Sequence, residues 1–392
     1  MKPNAQMLLD LLSNNDVTFF IPPYQRNYEW DKEQCEVFFE DVKKTSELNA
    51  SGANIEHFFG SITYFSAQQV FGQPTKLVLI DGQQRITTTM LFMVALRDII
   101  QDDALTRAID TRYLKNGNVQ SDDDEYKIKL KQVESDWNVY KKIILAEELS
   151  DKERTSPVSM NHKYFYNRLR DYKNNGGDLK SMLGNGLNKF SIVTIQLEPD
   201  RNKWENPQEI FESMNSLGKP LSLADLTRNY ILLGLEPDDQ ENLYRTHWLR
   251  IEQKIPGRVS DFIRDYMQCR EKRWFVKSTE SNYKELYSSF KKIFANQSAE
   301  TLLKDLADHA AAYSWIIYGK GAGDVRIDKE LKDMNTLNST TAYSFLMALL
   351  CAWKNGRFTS DDIVGIIGVF KTYCMRRRLL SLGKGENKGA LF

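Results

Sequence analysis

The segment Leu77-Val78-Leu79-Ile80-Asp81-Gly82-Gln83-Gln84-Arg85-Ile86-Thr87-Thr88-Thr89 joins an apolar strand to a polar turn and then to a helix start. Backbone N–H groups at such a start attract anions, phosphate among them. Gly82 permits close approach of the backbone, Arg85 supplies a bidentate cationic fork, and Thr87 and Thr88 offer hydroxyls. Gln83 and Gln84 complete the turn, and Asp81 could hold a metal ion or orient a water molecule. The turn is not a P-loop, because Gly-x-x-x-x-Gly-Lys-Ser/Thr is missing. The same residues also fit an ordinary strand-to-helix connection, with Asp81 as turn former and threonines in the first helical turns.

A second segment, Ile21-Pro22-Pro23-Tyr24-Gln25-Arg26-Asn27-Tyr28-Glu29-Trp30, is a stiff loop rich in groups that stack or donate hydrogen bonds. Tyr24, Tyr28 and Trp30 could present π faces to a base, Gln25 could read a base edge, and Arg26 could reach a phosphate. The competing reading packs the aromatics in the core and gives Arg26 a salt bridge. A third segment, Asn215-Ser216-Leu217-Gly218-Lys219-Pro220-Leu221-Ser222, reads as a helix C-cap followed by the Ser222 N-cap.

Positioning these segments requires a mixed α/β beginning and a mostly helical remainder. Gln6 to Leu12 predicts a short helix. Val17 to Ile21 predicts a strand stopped by Pro22-Pro23. Asp31 caps a helix carrying Cys35, Phe38, Phe39 and Val42 at helical spacing. His57 to Phe65 and Lys76 to Ile80 predict two strands around a Gly/Gln/Pro loop. From about Gln84 to Ile100 the pattern turns helical, with Ile86, Met90, Met93, Val94 and Leu96 on the buried side. Residues 102–189 read as a polar helical stretch, Phe190 to Leu197 as one more strand, and nearly everything beyond Gly234 as helix.

With 392 residues the chain is long enough for more than one core, and 41% hydrophobic against 27% charged is an ordinary globular balance. No run of apolar residues is long enough to span a bilayer, and the first residues lack a cleavable leader pattern, so the expected compartment is the cytoplasm. The four cysteines are scattered without a Cys-x-x-Cys pair, which argues for reduced thiols rather than disulfides or a zinc ribbon. Lys plus Arg (53) equals Asp plus Glu (53). With no net field to attract nucleic acid, any DNA contact must use local basic clusters such as Arg376-Arg377-Arg378 or Arg270, Lys272 and Arg273, which also read as solvated helix faces.

Taken together, the Ile-Pro-x-Tyr-Gln-Arg-x-Tyr-x-Trp segment, Phe59-Gly60-Ser61-Ile62, Asp81-Gly82-Gln83-Gln84-Arg85-Ile86-Thr87-Thr88, and Phe211-Glu212-Ser213-Met214-Asn215-Ser216-Leu217-Gly218 resemble the GmrS-like half of GmrSD-type, modification-dependent restriction systems. The resemblance implies an α+β chain. Residues 1–235 would form a ParB/sulfiredoxin-like nucleotide-binding domain with a helical insertion at about 102–189, and 236–392 a helical domain. It implies a bacterial anti-phage defence component that binds and hydrolyses NTP, GTP by preference or ATP, and couples this to cleavage of modified phage DNA. Carried onto this sequence, Asp81 and Arg85 would be catalytic, with Asp81 also on Mg²⁺. Tyr24, Gln25, Arg26, Gly82, Gln83, Gln84, Thr87, Thr88 and Asn215 would line the nucleotide site. Where ParB and sulfiredoxin commonly carry His, this chain has Gln83-Gln84, so sulfiredoxin-like phosphotransfer is not expected. The HNH nuclease of the family is not visible here: His57, His162, His247 and His309 stand in no HNH context. The implied partners are DNA, an HNH-type nuclease domain or subunit, and further copies in a homo-oligomer, with no membrane. A non-hydrolytic nucleotide- or DNA-binding regulatory module is the alternative.

Overall fold

The computed structural model describes residues 2–67, 72–116, 124–198, 210, 221–233, 235, 237–271, 280–337 and 339–379. The chain divides into two compact units, Met1–Gly218 and Lys219–Phe392. Among its described residues the first holds six strands: β1 (Lys2–Met7), β2 (Val17–Phe20), β3 (His57–Ser66), β4 (Thr75–Asp81), β5 (Leu130–Lys131) and β6 (Phe190–Leu197). They lie in the order β1-β6-β3-β4-β2-β5. β6 runs antiparallel to β1 and parallel to β3, β3 is antiparallel to β4, and β2 is parallel to both β4 and β5.

Helices of this unit are α1 (Leu8–Leu12), α2 (Lys32–Ala50), α3 (Gln83–Ile99), α4 (Asp103–Ile109), α5 (Asp124–Lys127), α6 (Glu134–Leu145), α7 (Pro157–Asn174) and α8 (Leu179–Ser181). Asp31 opens α2 with a full capping box. Its side chain accepts from the Glu33 N–H at 2.8 Å, and the Gln34 side chain accepts from the Asp31 N–H at 2.9 Å. α3 is apolar on nearly every side because it is the central helix, and Met90 through Leu96 are completely buried. Phe38 of α2 sits at the junction of the layers. Its ring lies 5.3 Å from Phe59 on β3, 5.5 Å from Phe92 on α3, 5.8 Å from Phe165 on α7 and 5.7 Å from Phe190 on β6.

The α+β class is the observed one. Two elements differ from the sequence reading. The helix expected over Gln6 to Leu12 begins only at Leu8, because Lys2–Met7 pairs as an edge strand with β6. Pro3, without an N–H, is tolerated in such an edge position. The stretch 102–189 is mostly helical but contains β5, which extends the sheet beyond β2.

The second unit is helical throughout its described residues, from Leu223–Leu232 to Ser360–Leu379. Ser222 caps the first of these helices as expected, in a reciprocal box with Asp225. Arg228, buried in that helix, is held by Asp225 at 2.9 Å and Glu252 at 2.8 Å, and Trp248 donates to the same Glu252 at 2.8 Å. No described helix is long and apolar enough to cross a membrane.

Candidate functional site

The strand-turn-helix predicted around Asp81 is present. β4 ends at Asp81, Gly82 turns the chain, and α3 begins at Gln83. Gly82 has φ +94°, in the left-handed region that favours glycine. A Cβ there would also stand 2.9 Å from the Ile62 side chain and 3.2 Å from the Ile62 Cα, so packing and backbone angle both require glycine. The first helical bond runs from the Ile86 N–H to the Gly82 carbonyl at 3.0 Å. The N–H groups of Gln83, Gln84 and Arg85 therefore precede the helical ladder and form its positive end.

Arg85 and Asp81 are the charged groups of the turn, each only partly buried, with Arg85 Nη1 3.7 Å from Asp81 Oδ2. Arg85 Nη1 also donates to the Ser61 carbonyl at 3.2 Å. Its guanidinium lies across Gly60, whose φ is +113° at a register shift in β3, and a Cβ on Gly60 would stand 2.9 Å from Arg85 Nε. The bulge makes a flat backbone shelf on which the guanidinium rests beside the helix N-terminus.

Behind this charged rim the remaining polar residues are tied to one another. Gln84 Oε1 accepts from the N–H groups of Glu29 at 2.9 Å and Trp30 at 3.2 Å, while its Nε2 donates to the Asn27 carbonyl at 3.0 Å. One amide thus fastens the aromatic loop to the start of α3. Gln25 is buried and donates to the Ile80 carbonyl at 3.0 Å, and Gln83 Nε2 donates to Gln25 Oε1 at 3.2 Å. Because a carbonyl can only accept, Ile80 fixes the sense of both amides and leaves Gln83 Oε1 as a buried acceptor with no hydrogen-bond partner. Thr87 Oγ1 donates to the Gln83 carbonyl at 2.8 Å and accepts from Gln132 Nε2 at 2.8 Å. Thr88 Oγ1 lies 2.7 Å from the Tyr28 hydroxyl.

Tyr24 and Tyr28 are buried, whereas Trp30 is half-buried. Arg26, largely buried, pairs with Glu29 at 3.5 Å. The structure therefore brings Gln25, Arg26, Gly82, Gln83, Gln84, Arg85, Thr87 and Thr88 into one neighbourhood beside Asp81. Their placement divides into a partly exposed rim of Asp81 and Arg85 and a buried, mutually bonded layer. Asn215 lies outside the described residues, as does the rest of Phe211–Gly218 and the pair Lys272 and Arg273. Arg270, from the same basic cluster, pairs with Asp305.

Four supporting residues had no signal as such in the sequence. Asp136 of α6 accepts the Tyr28 N–H at 2.7 Å. Burial pushes its carboxyl up to about 6, with the nearby Glu29 adding to the shift and the Tyr28 N–H opposing it. Asn161 of α7 donates to the Tyr28 hydroxyl at 3.1 Å and the Trp30 carbonyl at 2.6 Å. Gln132 follows β5, and Gly60 was visible only as part of a motif. All four lie far in sequence from the groups they hold. Among the described residues no cluster of three or more His, Cys, Asp or Glu side chains could hold a metal ion by itself. Asp81 is a single carboxylate, the donor set that suits Mg²⁺ shared with phosphate oxygens rather than an all-protein cage.

The model of the GmrSD restriction endonuclease N-terminal domain matches residues 8–232. No curated protein matches the chain. The match takes in the aromatic loop, the Gly60 shelf and the Asp81 to Arg85 turn, and it extends over more than half of the chain. This chain belongs to the family of the GmrSD restriction endonuclease N-terminal domain and is a component of a restriction-type defence system.

Proposed function

We propose that this chain binds a nucleoside triphosphate at the Asp81 to Arg85 turn, hydrolyses it, and uses the nucleotide state to control cleavage of modified DNA by a nuclease domain or subunit. The observation that carries this reading is the Arg85 guanidinium. It rests on Gly60, is held by the Ser61 carbonyl, and lies beside the N-terminus of α3 with Asp81 3.7 Å away. A positive helix end and a planar cation converge there on one partly exposed spot, the arrangement that favours a polyphosphate.

In this reading the N–H groups of Gln83 to Arg85 take phosphate oxygens, and Arg85 stabilises the charge that develops as the terminal phosphoryl group leaves. Asp81 is the residue that would hold Mg²⁺ together with phosphate oxygens, and the ion would supply further charge neutralisation. The buried amides and hydroxyls act indirectly, by fixing the loop and helix that present the rim. The unpartnered Gln83 side-chain Oε1 favours a donor at the site, such as a ribose hydroxyl or a water molecule, over a phosphate.

The test is phosphate release from each of the four nucleoside triphosphates with Mg²⁺, comparing wild type with Arg85→Ala, with and without modified DNA. Turnover that falls by about 100-fold or more in the variant supports the proposal. Nucleotide binding without turnover in any condition would instead favour a regulatory module, and turnover unaffected by Arg85→Ala would place the chemistry elsewhere.

A further inference from the structure

The start of α3 carries one group that phosphate binding does not explain. Gln25 Nε2 donates to the Ile80 carbonyl at 3.0 Å, and Gln83 Nε2 donates to Gln25 Oε1 at 3.2 Å. Turning either amide over would set two oxygens against each other, so one backbone carbonyl fixes the polarity of the pair. The far end of this relay is therefore always an acceptor. It is Gln83 Oε1, in a residue only 3% exposed, and it has no hydrogen-bond partner. A buried amide oxygen in that condition costs stability, and a donor brought to it would recover the loss.

The surroundings narrow what the donor can be. Gln83 is the first residue of α3, and its own N–H forms the positive end of the helix together with those of Gln84 and Arg85. These N–H groups and the Arg85 guanidinium attract anionic oxygens, whereas a carboxamide oxygen repels them. One molecule satisfies both demands only if it carries an anionic group and a hydrogen-bond donor side by side. Fully ionised inorganic polyphosphate has no such donor. In a nucleotide the sugar adjoins the phosphates and bears hydroxyls, while the N–H groups of the base lie at its far edge. A glutamine side chain reaches only a short way from its own backbone N–H, which favours the sugar over the base.

We infer that Gln83 Oε1 accepts a hydrogen bond from a sugar hydroxyl, so that the site selects nucleoside triphosphates by their sugar and rejects inorganic polyphosphate. Gln25 acts as a positioning residue, since its amide transmits the polarity of the Ile80 carbonyl to Gln83. The inference rests on the nucleotide reading of the Asp81 to Arg85 turn and adds the part of the ligand beyond the phosphates.

Equilibrium competition against a non-hydrolysable fluorescent nucleotide tests it, with the full chain and with Ca²⁺ in place of Mg²⁺ to hold back turnover. The competitors are GTP and ATP, their 2′-deoxy and 3′-deoxy forms, and inorganic tripolyphosphate. In wild type, loss of the hydroxyl that Gln83 accepts should weaken binding by about tenfold or more, and tripolyphosphate should compete more weakly than any nucleotide. In Gln83→Leu, which lacks the acceptor, that deoxy form should bind as well as its parent. Circular dichroism melts check that the variant is folded, and the wild-type comparison stands without it. Wild type that binds both deoxy forms as tightly as their parents overturns the inference and leaves Oε1 to a water molecule. A base preference that Gln83→Leu erases, with no sugar preference, overturns it in favour of a base N–H. A sugar preference that survives in Gln83→Leu overturns it as well. In each of these outcomes, binding that still falls in Arg85→Ala keeps the phosphate site standing, whereas a chain that binds no nucleotide overturns both.

Discussion

Replacing Asp136 by Asn should stabilise the protein at neutral pH and flatten its stability between about pH 4 and pH 6. Asp136 is only 7% exposed, and its carboxyl is pushed from 3.8 up to about 6, chiefly by burial. The folded state therefore holds a proton that the unfolded chain has already released across this interval. The stabilising effect of that proton is complete below about pH 4 and is lost as pH rises through about 6. A shift of roughly two units corresponds to about 3 kcal/mol that the ionised carboxylate costs the fold above pH 6. Asparagine removes the charge but keeps an oxygen to accept the Tyr28 N–H, which Asp136 accepts at 2.7 Å. The assay is urea unfolding of wild type and Asp136→Asn at half-unit steps from pH 4 to 8, followed by tryptophan fluorescence. The variant should gain about 1 to 3 kcal/mol at pH 7 and nothing near pH 4. A variant that is less stable than wild type at pH 7, or that retains the full slope between pH 4 and 6, would refute the argument. Asp136→Ala, which leaves the Tyr28 N–H without this acceptor, should be the less stable of the two replacements throughout.

Gln84→Ala should cost about 3 kcal/mol in equilibrium unfolding, since it removes the three bonds that fasten Asn27, Glu29 and Trp30 to α3. Gln84→Glu keeps both acceptor bonds but sets a buried carboxylate oxygen against the Asn27 carbonyl, so at neutral pH it should not recover the lost stability. Gly60→Ala should displace the Arg85 guanidinium from its shelf, because the added Cβ would lie 2.9 Å from Arg85 Nε. Titration with a labelled nucleotide should show affinity lowered by about tenfold or more, with a stability cost of about 1 to 3 kcal/mol from the φ of +113°. Unchanged affinity would detach Arg85 from the proposed site.

The legible parts of the fold were those that local pattern can carry. The apolar run from Leu77 to Ile80, the Asp81-Gly82 turn and the buried face of α3 announce themselves within a dozen residues, as does the capping box at Asp31. β1 was not legible, because Lys2 to Gln6 has no alternation of its own and becomes a strand only by pairing with β6 nearly two hundred positions later. β5 was missed for the same reason: two residues gain strand geometry from β2. In the site, residue types were readable and their partners were not. Gln84 can be picked out as a polar group at a helix start, but nothing near it says that its amide is shared among three backbone groups of a loop more than fifty positions away. Asp136 and Asn161 are ordinary helix residues until Tyr28 is placed against them.

The position of β6 also governs how the first unit can be made. This strand lies between β1 and β3, bonded to both, yet it is the last of the six to leave the ribosome. Until residues 190–197 have emerged, Lys2–Met7 has no neighbour and β3 presents a bare edge over its full length. The segments β2, β3, β4 and α3 can associate earlier, so the nascent chain passes through a stage in which a partial sheet waits for its inner strand. Cotranslational chaperones would meet that open edge, and a break in synthesis before residue 190 would release a fragment prone to pair with its like.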